Sequence, residues 1–205
     1  MIEDIHTHTA GRPHSVLSLA PAEVLKLPAE AAQDYSVSLH PWYVDAEMLR
    51  AFDEVAALRV GDVRWRAVGE CGLDALCTTP PDVQRAALLR SLDVARATGK
   101  PTVLHCVRRW EELTAAVKHV WGPGGAEAAW EAHAPLIIHG FRKGLPLAQS
   151  LLAQGFCLSM GERFRPEVAR VVPAERLYVE TDESALPIAE IRQRVEAARN
   201  NHSMG

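Results

Sequence analysis

The sequence predicts an α/β fold, a trimmed (β/α)8 barrel with its first helices reduced or missing. Three observations lead there. Short β-branched or apolar runs alternate with longer amphipathic stretches, the pattern of parallel strands covered by helices. Eight runs have strand character: 2–6, 15–20, 35–40, 65–70, 101–105, 136–139, 156–160 and 176–181. The chain has 205 residues, whereas ~250 is typical of a (β/α)8 barrel, so something must be missing. An open doubly wound sheet is the competing arrangement.

The shortage falls early. Only a loop fits between the first two strands, and the segment around 21–27 allows no more than a stub of helix before the third. Later connections read as full helices. Residues 45–59 carry Met48, Leu49, Phe52, Val55, Ala56 and Leu58 at close to a 3.6-residue period. Residues 83–98 follow Pro80-Pro81-Asp82 and stop at Gly99, a helix start and stop. Segments 110–121, 145–154, 166–172 and 187–199 complete the helical set. Gly122-Pro123-Gly124-Gly125 is a flexible break, with an extra helical turn over 126–133, and 200–205 reads as a frayed tail.

A chain of this length fills one buried core and is short for two, so residues 1–205 are read as a single domain. No stretch approaches the roughly 18 apolar residues of a membrane span. The N-terminus enters Ile2-Glu3-Asp4-Ile5-His6 without a basic region and apolar run, so no signal peptide is expected and cytoplasmic residence is the default. Cys71, Cys77, Cys106 and Cys157 form no C-x-x-C pair and read as reduced thiols. A formal charge of −4 argues against non-specific coating of nucleic acid but not against gripping a few phosphates locally. Oligomeric state is not legible; a monomer is the default.

The chemistry lies at the strand ends. In Asp4-Ile5-His6-Thr7-His8 the two histidines are two apart, so a strand aims both imidazoles at one point. Glu70 ends Ala67-Val68-Gly69-Glu70, His105 ends Pro101-Thr102-Val103-Leu104-His105, and His139 ends Leu136-Ile137-Ile138-His139. Asp182 follows Leu177-Tyr178-Val179-Glu180-Thr181. Any one of these is more often a satisfied histidine or a capping carboxylate. Five strands repeating the placement make a shared site, because barrel strands converge on one mouth. Four imidazoles and two carboxylates can hold two divalent ions, with Glu70 as the bridge and Asp182 as a ligand that also accepts a proton from the attacking water.

These motifs resemble the TatD-like metal-dependent hydrolases, the TatD family of DNases, within the amidohydrolase-type barrels. The resemblance rests on Asp4 to His8, Leu39-His40-Pro41, Gly69-Glu70-Cys71-Gly72-Leu73-Asp74, Pro101 to His105, His139-Gly140-Phe141-Arg142-Lys143-Gly144 and Glu180-Thr181-Asp182. It implies a TIM-type barrel, divalent metal at His6, His8, Glu70, His105, His139 and Asp182, and phosphodiester hydrolysis, typically of DNA from the 3′ end. It points to magnesium, whereas a histidine-rich donor set suits zinc, manganese or iron better. Two divalent ions, Mg2+, Mn2+ or Zn2+, are therefore expected without a choice among them. Three departures touch substrate-facing loops. His105 is followed by Cys106-Val107-Arg108-Arg109 without the usual arginine two residues on, Asp182 by Glu183-Ser184 instead of a small residue and proline, and the His8–His40 gap is short.

Other residues divide by their neighbours. His40, before Pro41-Trp42, faces the barrel mouth as a hydrogen-bond partner for substrate or water, with a ligand role as the alternative. Arg108, Arg109, Arg142, Lys143, Arg163 and Arg165 lie just beyond strand ends and can form a positive rim; Arg108 and Arg142 are the preferred phosphate contacts. Cys71 and Cys106 follow ligands directly and so face away from the metals. Asp74 orients a loop or a ligating histidine, and Asp4 either does likewise or bonds within the core. His14, His119, His133 and His202 read as surface residues. The leading function is a metal-dependent phosphodiesterase of DNase type, with DNA or another phosphodiester as substrate. A hydrolase of small amides or esters, aminoacyl esters included, and a non-catalytic metal-binding protein are the alternatives.

Overall fold

Eight strands pair in chain order, every neighbour parallel, in the computed structural model of the chain, which describes residues 2–28 and 30–200. They are β1 (Asp4–Thr7), β2 (Ser15–Leu19), β3 (Asp34–Leu39), β4 (Trp65–Asp74), β5 (Thr102–Val107), β6 (Leu136–Ile138), β7 (Cys157–Met160) and β8 (Leu177–Val179). The sheet curls until its edges meet. Asp182 N–H donates to His6 O (3.0 Å) and His8 N–H to Asp182 O (3.1 Å), and the Asp4 carboxylate accepts from Thr181 N–H (3.0 Å) and Oγ1 (2.7 Å). Closure therefore brings His6, His8 and Asp182 together. The two readings offered for Asp4 resolve to a core bond across this seam.

The helices fall where the sequence placed them, and the first connections are the reduced ones. Nothing helical joins β1 to β2, and α1 (Pro21–Leu25) is five residues. Then follow α2 (Ala46–Leu58), α3 (Pro81–Thr98), α4 (Trp110–Trp121), α5 (Gly125–Glu131), α6 (Leu145–Ala153), α7 (Pro166–Val171) and α8 (Ile188–Asn200). The Asp45 carboxylate caps α2 by accepting from Met48 N–H (2.8 Å), and α2 buries Phe52 and Val55. Pro81 opens α3 and Gly99, at φ 65°, closes it. The extra turn expected over 126–133 is α5. Asn200 ends α8, so only 201–205 of the expected tail, with His202, lie outside the described residues. No helix among the described residues is long and apolar enough to cross a membrane.

Alternation along the strands sorts the core. Leu104, Cys106 and Ile138 join the large layer beneath the helices with Leu88, Leu92 and Leu113. Val103 and Ile137 belong to a smaller cluster with Ile5, Val16, Ala67 and Cys157, and share the face that carries His105 and His139 two residues on. Cys71 and Cys106 both lie in the outer layer, away from the histidines.

Strand ends shift by one or two residues from the sequence reading along most of the barrel, and by four at β4. β4 runs on to Asp74 and β5 to Val107, so Glu70 and His105 sit inside their strands. The register of β4 against β5 shifts between Val68 and Cys71. Gly69 and Gly72 permit the close contact there, since a Cβ on either would meet backbone oxygen of β5.

Below the barrel, the Asp62 carboxylate accepts from the hydroxyl of fully buried Tyr35 (3.1 Å) and from Arg64 N–H (3.0 Å) and Nε (2.9 Å). The Arg64 hydrogen bond holds Asp62 well below its ordinary 3.8, whereas burial pushes Tyr35 up to about 12. Asp62→Ala leaves the Tyr35 hydroxyl without its partner and is expected to cost ~1–3 kcal/mol of stability. A depressed folded pKa contributes stability that is present above pH 3.8 and lost as pH falls through the folded value. Melting curves should therefore show the gap between wild type and Asp62→Ala constant near neutrality and narrowing below pH 3.8. A gap that does not vary with pH would assign the loss to packing alone.

Candidate metal centre

Five imidazoles surround one carboxylate at the mouth of the barrel. Glu70 is 2% exposed, and its two oxygens gather different partners. Oε2 lies 3.2 Å from His6 Nε2 and 3.6 Å from His8 Nε2. Oε1 lies 2.8 Å from His105 Nδ1, 2.8 Å from His139 Nε2 and 3.1 Å from His40 Nε2. Asp182 Oδ1 completes the first group, 3.9 Å from His6 and 3.7 Å from His8. The six residues expected as ligands thus come together, and His40 joins them. Groups compact enough to hold an ion are His6–His8–Asp182, His6–Glu70–His139, His40–Glu70–His105 and His139–Glu180–Asp182.

The far nitrogens of the three imidazoles on Oε1 distinguish their roles. His40 Nδ1 accepts Trp42 N–H at 3.1 Å, so its proton is on Nε2 and points at Glu70. That makes His40 a donor to the carboxylate. His105 has its far nitrogen, Nε2, 3.0 Å from Asp74 Oδ2, and His139 has Nδ1 3.4 Å from Glu180 Oε1. Asp74 only accepts, so a neutral His105 carries its proton on Nε2 and would leave Nδ1 for a cation, whereas the His139 Nδ1 approach to Glu180 lacks hydrogen-bond geometry and fixes no tautomer. Asp74 thus orients a histidine, one of the two roles expected for it.

Charge in this cluster is shared closely. Burial opposes ionisation of Glu70, but the His139 charge and hydrogen bonds from His105, His139 and His40 outweigh it and hold the carboxyl well below its ordinary value. Burial likewise opposes a charged His139, yet Glu70 and Glu180 on either side lift it well above the ordinary 6.5. His8 is raised first by its bond to Glu70. The same carboxylates that raise His139 and His8 would be neutralised by a bound cation, which would compete with protons there. His6 supports the fit independently: it is fully buried, and neither ring nitrogen has a hydrogen-bond partner. A cation between His6, Glu70 and Asp182 would satisfy Nε2, the nitrogen that faces both carboxylates.

The centre floors a cleft of about 780 Å³ lined on one side by Trp42, Tyr43 and Leu76 and on the other by Arg142 and Lys143. A smaller polar trough of about 290 Å³, lined by Arg163, Glu162 and Ser184, shares Arg142, Asp182 and Glu183 with it. Arg142 faces both. Arg108 lines neither: β5 continues to Val107, and Arg108, at φ 59°, turns the chain out towards α4 with its side chain in solvent. Arg109 is held by Glu112 and Arg165 by the Arg142 carbonyl and Glu167, while His14, His119 and His133 are exposed on the surface.

Glu180 has no role assigned from sequence, although it is fully buried and accepts from Gly140 N–H at 2.6 Å beside His139. The period-two rule that pairs His6 with His8 also pairs Glu180 with Asp182, and that signal was available.

Comparison with known families decides the relationship. The family described as TatD related DNase matches residues 18–202. The chain belongs to this family. The match begins after His6 and His8, so the β1 part of the centre rests on geometry. Among curated TatD relatives, an uncharacterized metal-dependent hydrolase TatD of Mycobacterium tuberculosis is 30% identical over 160 residues, covering 72% of this chain and 56% of that protein. A 3′-5′ ssDNA/RNA exonuclease TatD of Erwinia tasmaniensis is 30% identical over 144 residues, covering 65% and 52%. The chain thus spans little more than half the length of these relatives. The TatD homolog YJJV of Escherichia coli superposes with a TM-score of 0.69 at 22% identity, over 91% of this chain and 79% of the other, which shows the shared barrel fold. A TatD-family hydrolase of Entamoeba histolytica gives 0.59 at 17%, over 82% and 59%.

Proposed function

We propose that the chain is a two-metal phosphodiesterase that trims single-stranded nucleic acid. The observation that carries the reading is the division of the histidines between the two oxygens of Glu70. On that reading Glu70 bridges, His6, His8 and Asp182 hold one divalent ion, and His105 and His139 hold the other. Bound there, the ions would polarise a phosphoryl oxygen and lower the pKa of a water.

The chain's own groups do the rest. Asp182, with its side chain 36% exposed, is the carboxylate of the set that best reaches incoming water, and it accepts the proton of the attacking molecule. His40 keeps Glu70 ionised and oriented through its Nε2 proton. Arg142 and Lys143 stand where a phosphate crosses the cleft and offset the charge of Glu70, Asp182 and Glu183. The polar trough beyond Arg142 provides room for the strand to continue. Single strands are favoured because the ligands lie at the floor of a cleft. The relatives named as ssDNA/RNA exonucleases support the same substrate class.

A 5′-labelled single-stranded oligonucleotide with Mn2+ or Mg2+ tests this. Stepwise shortening from the 3′ end that EDTA abolishes is expected. No cleavage of DNA or RNA, together with metal-dependent turnover of small esters or amides, would replace this reading with that of a small-molecule hydrolase.

A further inference from the structure

The apolar wall of the cleft and its metal-holding floor are joined by hydrogen bonds through a single tryptophan. Trp42 is 52% exposed, its ring on the wall beside Tyr43 and Leu76, yet its polar tip points inward. Indole Nε1 donates to Asp74 Oδ2 at 2.7 Å. The same oxygen lies 3.0 Å from His105 Nε2, and His105 Nδ1 lies 2.8 Å from Glu70 Oε1. Asp74 is held from every side: Oδ1 accepts Leu76 N–H at 2.7 Å, and its own N–H and C=O meet Gln84 at 2.8 and 3.2 Å. It is 2% exposed, so a carboxylate that lost the indole would face an unfilled acceptor site in the interior.

We propose that Trp42 is a positioning residue: its indole N–H fixes Asp74, and Asp74 fixes the tautomer and tilt of His105, so that Nδ1 is presented to the cation on the Oε1 side of Glu70. Two features favour this over a wall residue that merely offers a ring face. The indole is an obligate donor and Asp74 an obligate acceptor, so the bond has one polarity and transmits one tautomer. Trp42 also donates its backbone N–H to His40 Nδ1, so one residue orders two of the three imidazoles on Oε1. The inference rests on the proposed reading of His105 as a ligand.

The test needs no substrate. Metal-free protein is titrated with Co2+, followed by visible absorption and by heat. Wild type should take two ions per chain. Trp42→Phe keeps an aromatic ring and removes the donor; it should weaken one of the two sites by about 10–100-fold and leave the other alone. Asp74→Asn should weaken the same site. Tyr43→Ala, which strips the neighbouring ring and leaves Asp74 untouched, should bind both ions as wild type does. Unchanged Co2+ binding by Trp42→Phe overturns the proposal, as does equal weakening by Tyr43→Ala. His105→Ala separates the two levels: if it retains both ions at wild-type affinity, the ligand reading itself has failed and the proposal with it.

Discussion

Glu70→Ala is expected to lower metal-dependent hydrolysis by on the order of 10⁴-fold or more, about 5 kcal/mol or more of transition-state stabilisation. The size follows from position. His6 and His8 approach one oxygen of this carboxylate at 3.2 and 3.6 Å, and His40, His105 and His139 approach the other at 3.1, 2.8 and 2.8 Å. Without it, His105 and His139 lose the carboxylate they share, His6 and His8 keep only Asp182, and nothing spans the two groups. The fold should survive. The imidazoles can shed protons instead of remaining as uncompensated buried charges, and the barrel seam at Asp4, Thr181 and Asp182 does not use the Glu70 side chain. Glu70→Gln retains the shape and should lose almost as much. Initial rates with excess Mn2+, alongside a melting curve, check both halves. More than about a tenth of wild-type rate in either variant would show that the carboxylate is not the centre of the site.

Gly72→Ala is expected to destabilise the chain by about 3 kcal/mol or more, a fall of roughly 6–12 °C in Tm for a chain of this size. A Cβ at Gly72 would stand 1.9 Å from the His105 carbonyl oxygen and 2.8 Å from its carbon. Both are backbone atoms of β5, so relief requires the two strands to separate. That separation carries His105 away from Glu70, and metal affinity should fall with stability. Gly61→Ala is the matched control, because a Cβ there meets nothing within 4 Å. A Gly72→Ala chain that melts within about 2 °C of Gly61→Ala would mean that β4 and β5 pack less closely than the structure shows.

Much of the fold could be read from the sequence because both its periods are strong. Strands with apolar runs and helices with clean starts and stops placed all eight strands in order and located the missing helix between β1 and β2. The end of β4 was not legible. Glu70 looks terminal because Cys71-Gly72-Leu73-Asp74 carries two breaks in apolar character, yet the glycines there continue the strand through a shifted register. Ligand candidates were legible one strand at a time, since each lies on the inward face at the same height. What decides between ligand and hydrogen-bond donor lies on the far side of each ring: a backbone N–H two residues on for His40, but partners from other strands for His105 and His139. Asp74 faces His105 across 31 positions and Glu180 faces His139 across 41. Arg108 and Arg142 look equivalent in sequence, both just past a strand, but only Arg142 turns into the cleft, because β5 runs two residues beyond its histidine and β6 stops before its own.

On the proposed reading, the two oxygens of Glu70 serve two different cations. Anomalous diffraction from crystals grown with Mn2+ or Zn2+ measures this directly. Two peaks about 3.5–4 Å apart are expected, one on the side of His6, His8 and Asp182 and the other on the side of His105 and His139, with Glu70 between them. A single peak at saturating metal, or two peaks on the same side of Glu70, would contradict it.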